Sequence, residues 1–337
     1  MSTSSETEPA EASPTEIVAE AEAAGERLAN VRAEIGKAVF GQERVIELTL
    51  AAVLAGGHVL LVGAPGLAKT RLVEAMARVL GLPWARVQFT PDLMPADILG
   101  SEVLDQDEHG RRHFRFVKGP IFTSLLMADE INRASPRTQS ALLQAMQEHH
   151  VTVAGVAYDV PAPFHVLATQ NPIEHEGAYP LPEAQLDRFL LQVDVPYPEA
   201  EIERRILIET TGLGDAKPSA VLDAPGLIRL QQLVRAMPVG EKVLAAILDL
   251  VRSARPGSSH DARVNAHVAW GPGPRAGQAL MLATRARALL RGRFAPTLDD
   301  VAALARPALA HRMQLSFGAR AEGIDVDSLI DELAGHA

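Results

Sequence analysis

The chain has 337 residues, no cysteine and a formal net charge of −10 at pH 7. Its length is about twice that of a typical domain, which favours two domains. The lack of cysteine excludes disulfides, thiolate metal sites and a cysteine nucleophile. The sequence contains no apolar run of about 18 residues and no basic-then-apolar signal pattern at its start. We therefore expect a cytoplasmic protein without membrane insertion.

The negative charge is concentrated at the N-terminus. Residues 1–26 contain seven Glu and no Lys or Arg, so −7 of the −10 lies there and the other residues carry only −3. A nearly neutral body lacks the basic footprint that duplex DNA binding requires, and we do not expect a nucleic-acid partner. Residues 1–14 are rich in Ser, Thr, Glu, Pro and Ala, which predicts a disordered acidic tail.

The next part of the chain alternates helical and strand patterns. Apolar residues at helical spacing predict helices over residues 17–39, 46–54 and 69–80. A short apolar run bounded by glycines predicts a buried parallel strand over 58–62, and residues 85–89, 121–128 and 165–169 predict further strands or strand-like runs. This alternation predicts an α/β core with a parallel sheet between helices.

Two segments of this core have the pattern of β-hairpins, residues 102–117 and residues 151–160. Hairpin inserts in an α/β domain are usually functional loops on its rim, and simple decoration of the rim is the alternative.

The strand pattern ends at residues 193–198. Beyond it the sequence predicts helices only, over 201–211, 226–236, 243–251, 276–290 and 298–309. We therefore expect an α/β core over residues 15–197 and a small all-α domain over residues 198–337.

The segment Gly63–Thr70 follows a predicted strand and opens a predicted helix. It fits the phosphate-loop pattern except that Ala68 replaces a glycine. Backbone N–H groups at the helix start can hold phosphate, the Lys69 ammonium can reach the β and γ oxygens, and the Thr70 hydroxyl can bind Mg²⁺. ATP and Mg²⁺ are therefore the expected cofactors. The expected binding residues are Gly63, Ala64, Pro65, Gly66, Leu67, Ala68, Lys69, Thr70 and Arg71.

A second motif begins about sixty residues later, where an apolar run ends in Asp129 and Glu130. Carboxylates beside a buried strand are costly unless they have a purpose. We expect Asp129 to hold Mg²⁺ and Glu130 to polarise the attacking water. Alone, the pair also fits a helix N-cap with an exposed neighbour, but the upstream phosphate loop favours the nucleotide site.

Three further side chains are candidates for catalysis. Asn171 ends another apolar run and can orient the attacking water, although an Asn there is also a common turn residue. Arg188 and Arg275 can neutralise charge on the transferred phosphoryl group, from the next subunit or from the second domain. Surface salt bridges are the alternative for both, and Arg133 is a weaker candidate.

Together these motifs resemble the MoxR-type AAA+ ATPases, over roughly Gly41–His311. The resemblance rests on Gly41–Glu43, Gly63–Thr70, Phe89–Asp97, Asp129–Ala134, Asn171–Pro172, Glu183–Phe189 and Pro274–Ala276. It implies an AAA+ P-loop NTPase core and identifies the second domain as its lid.

The resemblance also implies a role for each candidate. Lys69 and Thr70 correspond to Walker A, Asp129 and Glu130 to Walker B, Asn171 to sensor 1, Arg188 to the arginine finger and Arg275 to sensor 2. MoxR phosphate loops commonly carry alanine at the position of Ala68. The segment Gly271–Pro274 departs from the Gly-Ala-Ser-Pro sequence usual in the family, which affects the expected geometry around Arg275.

Membership would imply a homo-oligomer, a hexameric ring with nucleotide between subunits. It would also imply chaperone-like remodelling of a protein client, often with a von Willebrand A-domain partner, and the two hairpins would face the pore. Two alternatives stay open. One is a nucleic-acid or chelatase-type motor of related fold, and the other is an ATP-gated scaffold with little turnover.

Overall fold

The computed structural model describes residues 14–172, 178–211 and 217–336. Most of the predicted acidic tail lies outside these ranges. Pro14, which we assigned to the tail, begins the first helix instead.

The strands match the predicted ones to within a few residues and add several short ones. They are β1 (Val59–Val62), β2 (Trp84–Gln88), β3 (Gly100–Gln106), β4 (Arg112–Lys118), β5 (Leu125–Asp129), β6 (His150–Val153), β7 (Val156–Asp159), β8 (His165–Gln170), β9 (Leu191–Asp194), β10 (Val268–Trp270) and β11 (Gln314–Leu315).

The helices lie before, between and after these strands. They are α1 (Pro14–Gly36), α2 (Glu43–Leu54), α3 (Lys69–Val79), α4 (Pro95–Leu99), α5 (Pro136–Glu148), α6 (Glu183–Leu186), α7 (Ala200–Thr211), α8 (Ala224–Ala236), α9 (Glu241–Ser253), α10 (Ala262–His267), α11 (Pro274–Leu290), α12 (Leu298–Leu309), α13 (Phe317–Ala321) and α14 (Val326–His336).

Five strands form one parallel sheet in the order β2-β5-β8-β1-β9. Alternate residues of these strands face opposite sides. Leu61, Met127 and Leu167 therefore pack in one core cluster with α2 and α3, whereas Leu60 and Leu126 pack on the other side with α5. Burial on both faces explains why the central strands β1, β5 and β8 are largely apolar runs.

Both hairpin inserts are present. β3 pairs with β4 and β6 with β7, each antiparallel. The hairpins contact each other through Phe116 and Tyr158, whose rings stack with centroids 4.1 Å apart. On the β3–β4 hairpin, Leu104 pairs with Phe114, and both side chains are exposed.

The chain beyond β9 is mainly helical, as expected, although β10 and β11 form a short antiparallel pair that the sequence did not indicate. The boundary at residue 198 remains a prediction. Among the described residues, the model contains no helix that is both long and apolar enough to cross a membrane.

A buried ionic network joins this helical part to α2. Arg291 Nε lies 2.7 Å from Glu47 Oε1, and Arg287 bridges the same carboxylate to Asp300. Arg293 Nη2 adds a second ion pair to Asp300, at 2.7 Å. Burial raises the pKa of the Asp300 carboxyl, but the arginines and the Thr297 N–H outweigh it, so the pKa is below its usual value.

Candidate nucleotide-binding site

The loop between β1 and α3 is a tight turn at the carboxyl end of the sheet. Gly66 and Ala68 have φ angles of 83° and 57°, in the left-handed region. For Ala68 this costs about 1 kcal/mol. A Cβ at Gly63 would lie 2.7 Å from the Val195 carbonyl oxygen, so only glycine fits there. The turn leaves the first N–H groups of α3 directed at its mouth, where an anion is favoured.

Lys69 lies at the start of α3 and folds back over this loop. Its Nζ donates to the carbonyl oxygens of Gly63 and Ala64, at 2.7 and 2.8 Å. Burial lowers the pKa of the Lys69 ammonium, whereas the Asp129 and Glu130 carboxylates act to raise it. The lysine is thus held at the mouth of the turn, opposite two carboxylates.

The Asp129 carboxylate is buried at the end of β5, and both of its oxygens are engaged. The Thr169 hydroxyl donates to Oδ1 at 2.6 Å. Arg86 Nε and Nη2 donate to Oδ2 at 3.1 and 2.5 Å. Both partners come from strands adjacent to β5, β8 and β2. Asp129 is therefore held rigidly, with an arginine on the oxygen opposite Thr169.

Glu130 leaves the strand in a left-handed conformation, with φ of 55°. Its N–H donates to the Thr169 hydroxyl at 2.8 Å. Its Oε2 accepts from Gln88 Nε2 at 2.7 Å and from Arg133 Nη1 at 3.0 Å. Arg133, a weak candidate for the phosphoryl charge, is thus a partner of Glu130.

One cavity of about 360 Å³, the Lys69 pocket, collects most of the predicted residues. It is lined by Pro65, Gly66, Leu67, Ala68, Lys69, Thr70, Arg71, Arg86, Gln88, Asp129, Glu130, Thr169 and Asn171. Gly63 and Ala64 lie behind it, and their carbonyl oxygens hold Lys69.

The residues that line the Lys69 pocket fit magnesium and a nucleoside triphosphate. The Thr70 hydroxyl and the Asp129 carboxylate would hold Mg²⁺, because oxygen atoms are the ligands that this ion prefers. The helix N-terminus and Lys69 supply donors for phosphate oxygens.

Arg188 and Arg275 do not line this pocket. Both line a second cavity of about 220 Å³, together with Asp187, Arg312 and His58; we call this the arginine cavity. Arg188 Nη1 donates to the Leu143 carbonyl oxygen, and its buried Nε has no hydrogen-bond partner.

Arg275 is only loosely held in the arginine cavity. It is half exposed at the start of α11, with Nη1 3.8 Å from Asp187 Oδ2. The two arginines assigned to phosphoryl charge thus share one surface, separate from the Lys69 pocket.

Arg312 was not a candidate, yet it organises the arginine cavity. It is only 2% exposed, and its Nε donates to Asp187 Oδ1 at 2.6 Å. Other guanidinium nitrogens donate to the carbonyl oxygens of Phe189 and Ala308. Burial lowers the pKa of Arg312, and Asp187 acts to raise it.

Sequence reasoning also missed three residues of the Lys69 pocket: Arg86, Gln88 and Thr169. A faint signal exists for the first two, because polar residues alternate with apolar ones in the run 85–89. Thr169 has none, since a threonine inside an apolar strand is ordinary.

Comparisons with known proteins agree with this geometry. The model for the ATPase family associated with various cellular activities (AAA) matches residues 58–191, and an AAA lid domain model matches residues 260–333. Chaperone MoxR1 of Mycobacterium tuberculosis is 42% identical over 301 residues, 89% of this chain and 79% of that protein. The chain belongs to the MoxR family of AAA+ ATPases.

Two further relatives extend this assignment. The MoxR protein of Paracoccus denitrificans is 36% identical over 324 residues, 90% of this chain and 94% of its own length. A crystal structure of a proposed ATPase from Cytophaga hutchinsonii superposes with a TM-score of 0.87 at 33% identity, covering 96% of this chain and 97% of that one. The MoxR fold, with its AAA+ core and lid, thus accounts for nearly the whole chain.

Proposed function

We propose that this MoxR-type chain hydrolyses ATP with Mg²⁺ and uses the energy to remodel partner proteins. The observation that carries the proposal is the Lys69 pocket, where a phosphate loop faces two carboxylates and an amide within one cavity. Both carboxylates are oriented by neighbouring strands, which is the positioning that phosphoryl transfer requires.

Each residue then has a definite task. Lys69 and the N–H groups of α3 bind the phosphates, and Thr70 and Asp129 hold the metal, which when bound neutralises charge on the phosphate oxygens. Glu130 accepts the proton of the attacking water, and Asn171 orients that water. Arg71 completes the binding set at the first turn of α3.

Arg188 and Arg275 complete the reaction from a neighbouring copy. They line a surface distinct from the Lys69 pocket of their own chain. This division supports a closed homo-oligomer, which we propose to be a hexameric ring.

The work done by hydrolysis is proposed from kinship. M. tuberculosis MoxR1 is named a chaperone. We propose a cytoplasmic chaperone-like role for this chain as well, with a protein client and a von Willebrand A-domain partner. The exposed Leu104–Phe114 pair on the β3–β4 hairpin offers an apolar contact for the client.

The test compares the wild type with two variants. Lys69→Ala should lose ATP binding, because the main phosphate cation is gone. Glu130→Gln should keep ATP and Mg²⁺ bound but hydrolyse at least about a hundredfold more slowly. Phosphate release and calorimetry measure the two effects separately. Glu74→Gln, an exposed carboxylate on α3, is the matched control.

Two outcomes would reject this proposal. Equal phosphate release from all three chains would favour an ATP-gated scaffold with little turnover. Normal ATP affinity for Lys69→Ala would show that ATP does not bind in the Lys69 pocket.

A further inference from the structure

One buried arginine of the lid makes most of its hydrogen bonds to the segment that carries Arg188. Arg312 ends a short 3₁₀ helix, Ala310–Arg312, in the part of the chain that the lid model matches. Its guanidinium has five N–H groups and makes five hydrogen bonds. Four of these bonds go to residues 187–190, and the fifth goes to the Ala308 carbonyl oxygen. The donor capacity of Arg312 is therefore fully used within the fold.

The four bonds lie on both sides of Arg188. Before it, Arg312 Nε donates to Asp187 Oδ1 at 2.6 Å, and Nη2 donates to the Asp187 carbonyl oxygen at 3.2 Å. After it, Nη2 donates to the Phe189 carbonyl oxygen at 2.7 Å, and Nη1 donates to the Leu190 carbonyl oxygen at 3.2 Å. The backbone that carries Arg188 is thus fixed to one side chain of the lid.

The Arg188 side chain is held less firmly than this backbone. Among the described residues, its one hydrogen-bond partner is the Leu143 carbonyl oxygen, which accepts from Nη1, and the side chain is half-buried. A fixed backbone under a lightly held side chain suits a cation that has to reach a phosphate on another copy. Only side-chain torsions then have to change, and the position from which the guanidinium extends is preset.

Asp187 extends the influence of Arg312 to Arg275. Arg312 occupies Asp187 Oδ1, and the other oxygen, Oδ2, lies 3.8 Å from Arg275 Nη1. Because Arg312 fixes the carboxylate, its free oxygen is presented to Arg275. One buried guanidinium therefore sets the surroundings of both arginines that are assigned to the phosphoryl charge.

A structural role alone does not account for this arrangement. Arg312 is buried, and removing a guanidinium from water costs free energy. Apolar side chains often replace buried ion pairs without loss of stability. The bonds of Arg312 thus point to a requirement for position at residues 187–190.

We propose that Arg312 is a positioning residue that holds Arg188, and through Asp187 also Arg275, in the arrangement used at the Lys69 pocket of a neighbouring copy. This inference rests on the proposed function, because it assumes that Arg188 acts between copies. Arg312 lies in the segment matched by the lid model, and residues 187–190 lie in the segment matched by the AAA model. In the proposed oligomer, the lid of one copy thereby sets the hydrolysis rate at the pocket of another.

The test variant is Arg312→Lys, which keeps the positive charge but cannot reach the carbonyl oxygens on both sides of Arg188. Its kcat for ATP should fall about tenfold to a hundredfold, because a catalytic group displaced by about 1 Å loses that much. KM for ATP and the stoichiometry of a bound non-hydrolysable ATP analogue should stay unchanged, because the Lys69 pocket is intact.

Mixing experiments separate positioning from a purely structural role. Arg312→Lys chains mixed in equal amounts with Lys69→Ala chains should recover about a quarter of wild-type activity, because one interface in four pairs an intact pocket with an intact arginine cavity. Arg312→Lys mixed with Arg188→Ala should recover nothing, because both changes affect the arginine cavity. Native mass spectrometry shows whether the mixtures contain mixed rings.

Two further variants keep this test interpretable. Arg306→Lys, whose partners Asp327 and Asp331 lie on α14, is the matched control and should change kcat by less than about twofold. Far-ultraviolet circular dichroism checks that each variant is folded. Where Arg312→Lys does not fold, Asp187→Asn takes its place in the mixtures. It weakens the Nε contact and leaves the carbonyl contacts, so its kcat should fall by a smaller factor.

Three results would overturn the inference. An unchanged kcat for folded Arg312→Lys would show that Arg188 keeps its position without Arg312. A raised KM or a lower analogue stoichiometry would show that the change damages the Lys69 pocket of its own chain. The third result is a lack of recovery with Lys69→Ala in mixed rings, although Arg188→Ala does recover with Lys69→Ala. If neither mixture recovers activity in mixed rings, the arrangement between copies in the proposed function is rejected as well.

Discussion

The Lys69 pocket and the arginine cavity each contain only some of the groups that phosphoryl transfer requires, and each supplies groups that the other lacks. The pocket has a phosphate loop and two carboxylates, and the arginine on its wall is tied to one of them. The arginine cavity gathers Arg188, Arg275 and Arg312 around Asp187. Phosphoryl transfer needs both an oriented water and a cation on the transferred group. In the proposed oligomer, a single copy would therefore contribute to two neighbouring sites, to one through its Lys69 pocket and to the other through its arginine cavity.

The largest expected effect comes from variants that inactivate the Lys69 pocket in one chain and the arginine cavity in another. Lys69→Ala and Arg188→Ala should each lower ATPase activity about a thousandfold alone. Mixed in equal amounts, they should recover about a quarter of wild-type activity, because one interface in four then pairs an intact pocket with an intact arginine. Steady-state phosphate release measures this.

The mixing experiment needs proof that subunits exchange. Native mass spectrometry of the mixture supplies it. An inactive mixture that contains mixed rings would show that Arg188 acts within its own chain. Mixing Lys69→Ala with Glu130→Gln is the matched control and should recover nothing, because both changes lie in the same pocket.

Arg312→Ala should destabilise the part of the protein that forms the arginine cavity and leave the Lys69 pocket intact. The change removes the buried hydrogen bonds to the Asp187 carboxylate and to the carbonyl oxygens of Phe189 and Ala308, and it leaves Asp187 with only Arg275, at 3.8 Å. The free energy of unfolding should fall by about 3–5 kcal/mol. Urea denaturation measures this, and Arg204→Ala, which removes an exposed ion pair with Glu201, should change little. A similar small effect for Arg312→Ala would mean that the cavity does not depend on it.

Acid should lower the free energy of unfolding through two buried histidines at or near the arginine cavity. Burial lowers the pKa of His58, which lines the arginine cavity, to about 3, and that of nearby His165 to about 4. In the unfolded chain both titrate near 6.5, so the unfolded state binds more protons below that pH. Stability should therefore be full above pH 6.5 and fall by about 1.4 kcal/mol per histidine for each pH unit below it.

Denaturation at a series of pH values tests this slope. His165→Asn should make it shallower, whereas His109→Asn, in the exposed turn of the β3–β4 hairpin, should leave it unchanged. An unaltered slope for His165→Asn would assign the acid sensitivity to other groups.

Ala68→Gly should have the smallest effect. Glycine relieves about 1 kcal/mol of left-handed strain but adds a similar entropy to the unfolded chain. Stability should therefore change by less than about 1 kcal/mol, and ATP affinity by less than about threefold. Ala154→Gly, at a φ of 49° in the β6–β7 turn, is the matched control, and calorimetry gives both affinities. A tenfold loss of affinity would show that the Lys69 pocket depends on the alanine.

Local patterns were enough to predict the sheet strands and the phosphate loop. Burial on both faces forces an apolar run in each central strand, and the turn before α3 needs Gly63 and Lys69 at fixed spacing. Ala68 shows the limit of such rules, because the turn adopts the expected left-handed conformation without the expected glycine.

The remaining contacts depend on how distant segments pack. Arg86 reaches Asp129 only through the register of β2 against β5, and Arg312 reaches Asp187 across 125 residues of chain. Neither residue has a local pattern that distinguishes it from a surface arginine. The position of Arg188 and Arg275 together, away from the Lys69 pocket, likewise follows from the packing of α11 and could not be derived from spacing.

The ionic network between α2 and the C-terminal helices has a mechanical consequence. Any rotation of α11 away from α2 would pull apart Glu47, Arg287 and Asp300, leaving charges in a dry interior. Such a motion would cost free energy, so we expect α2 and α11 to move together as one rigid unit. Since α11 begins at Pro274 and carries Arg275 in its first turn, a displacement of α2 also displaces Arg275.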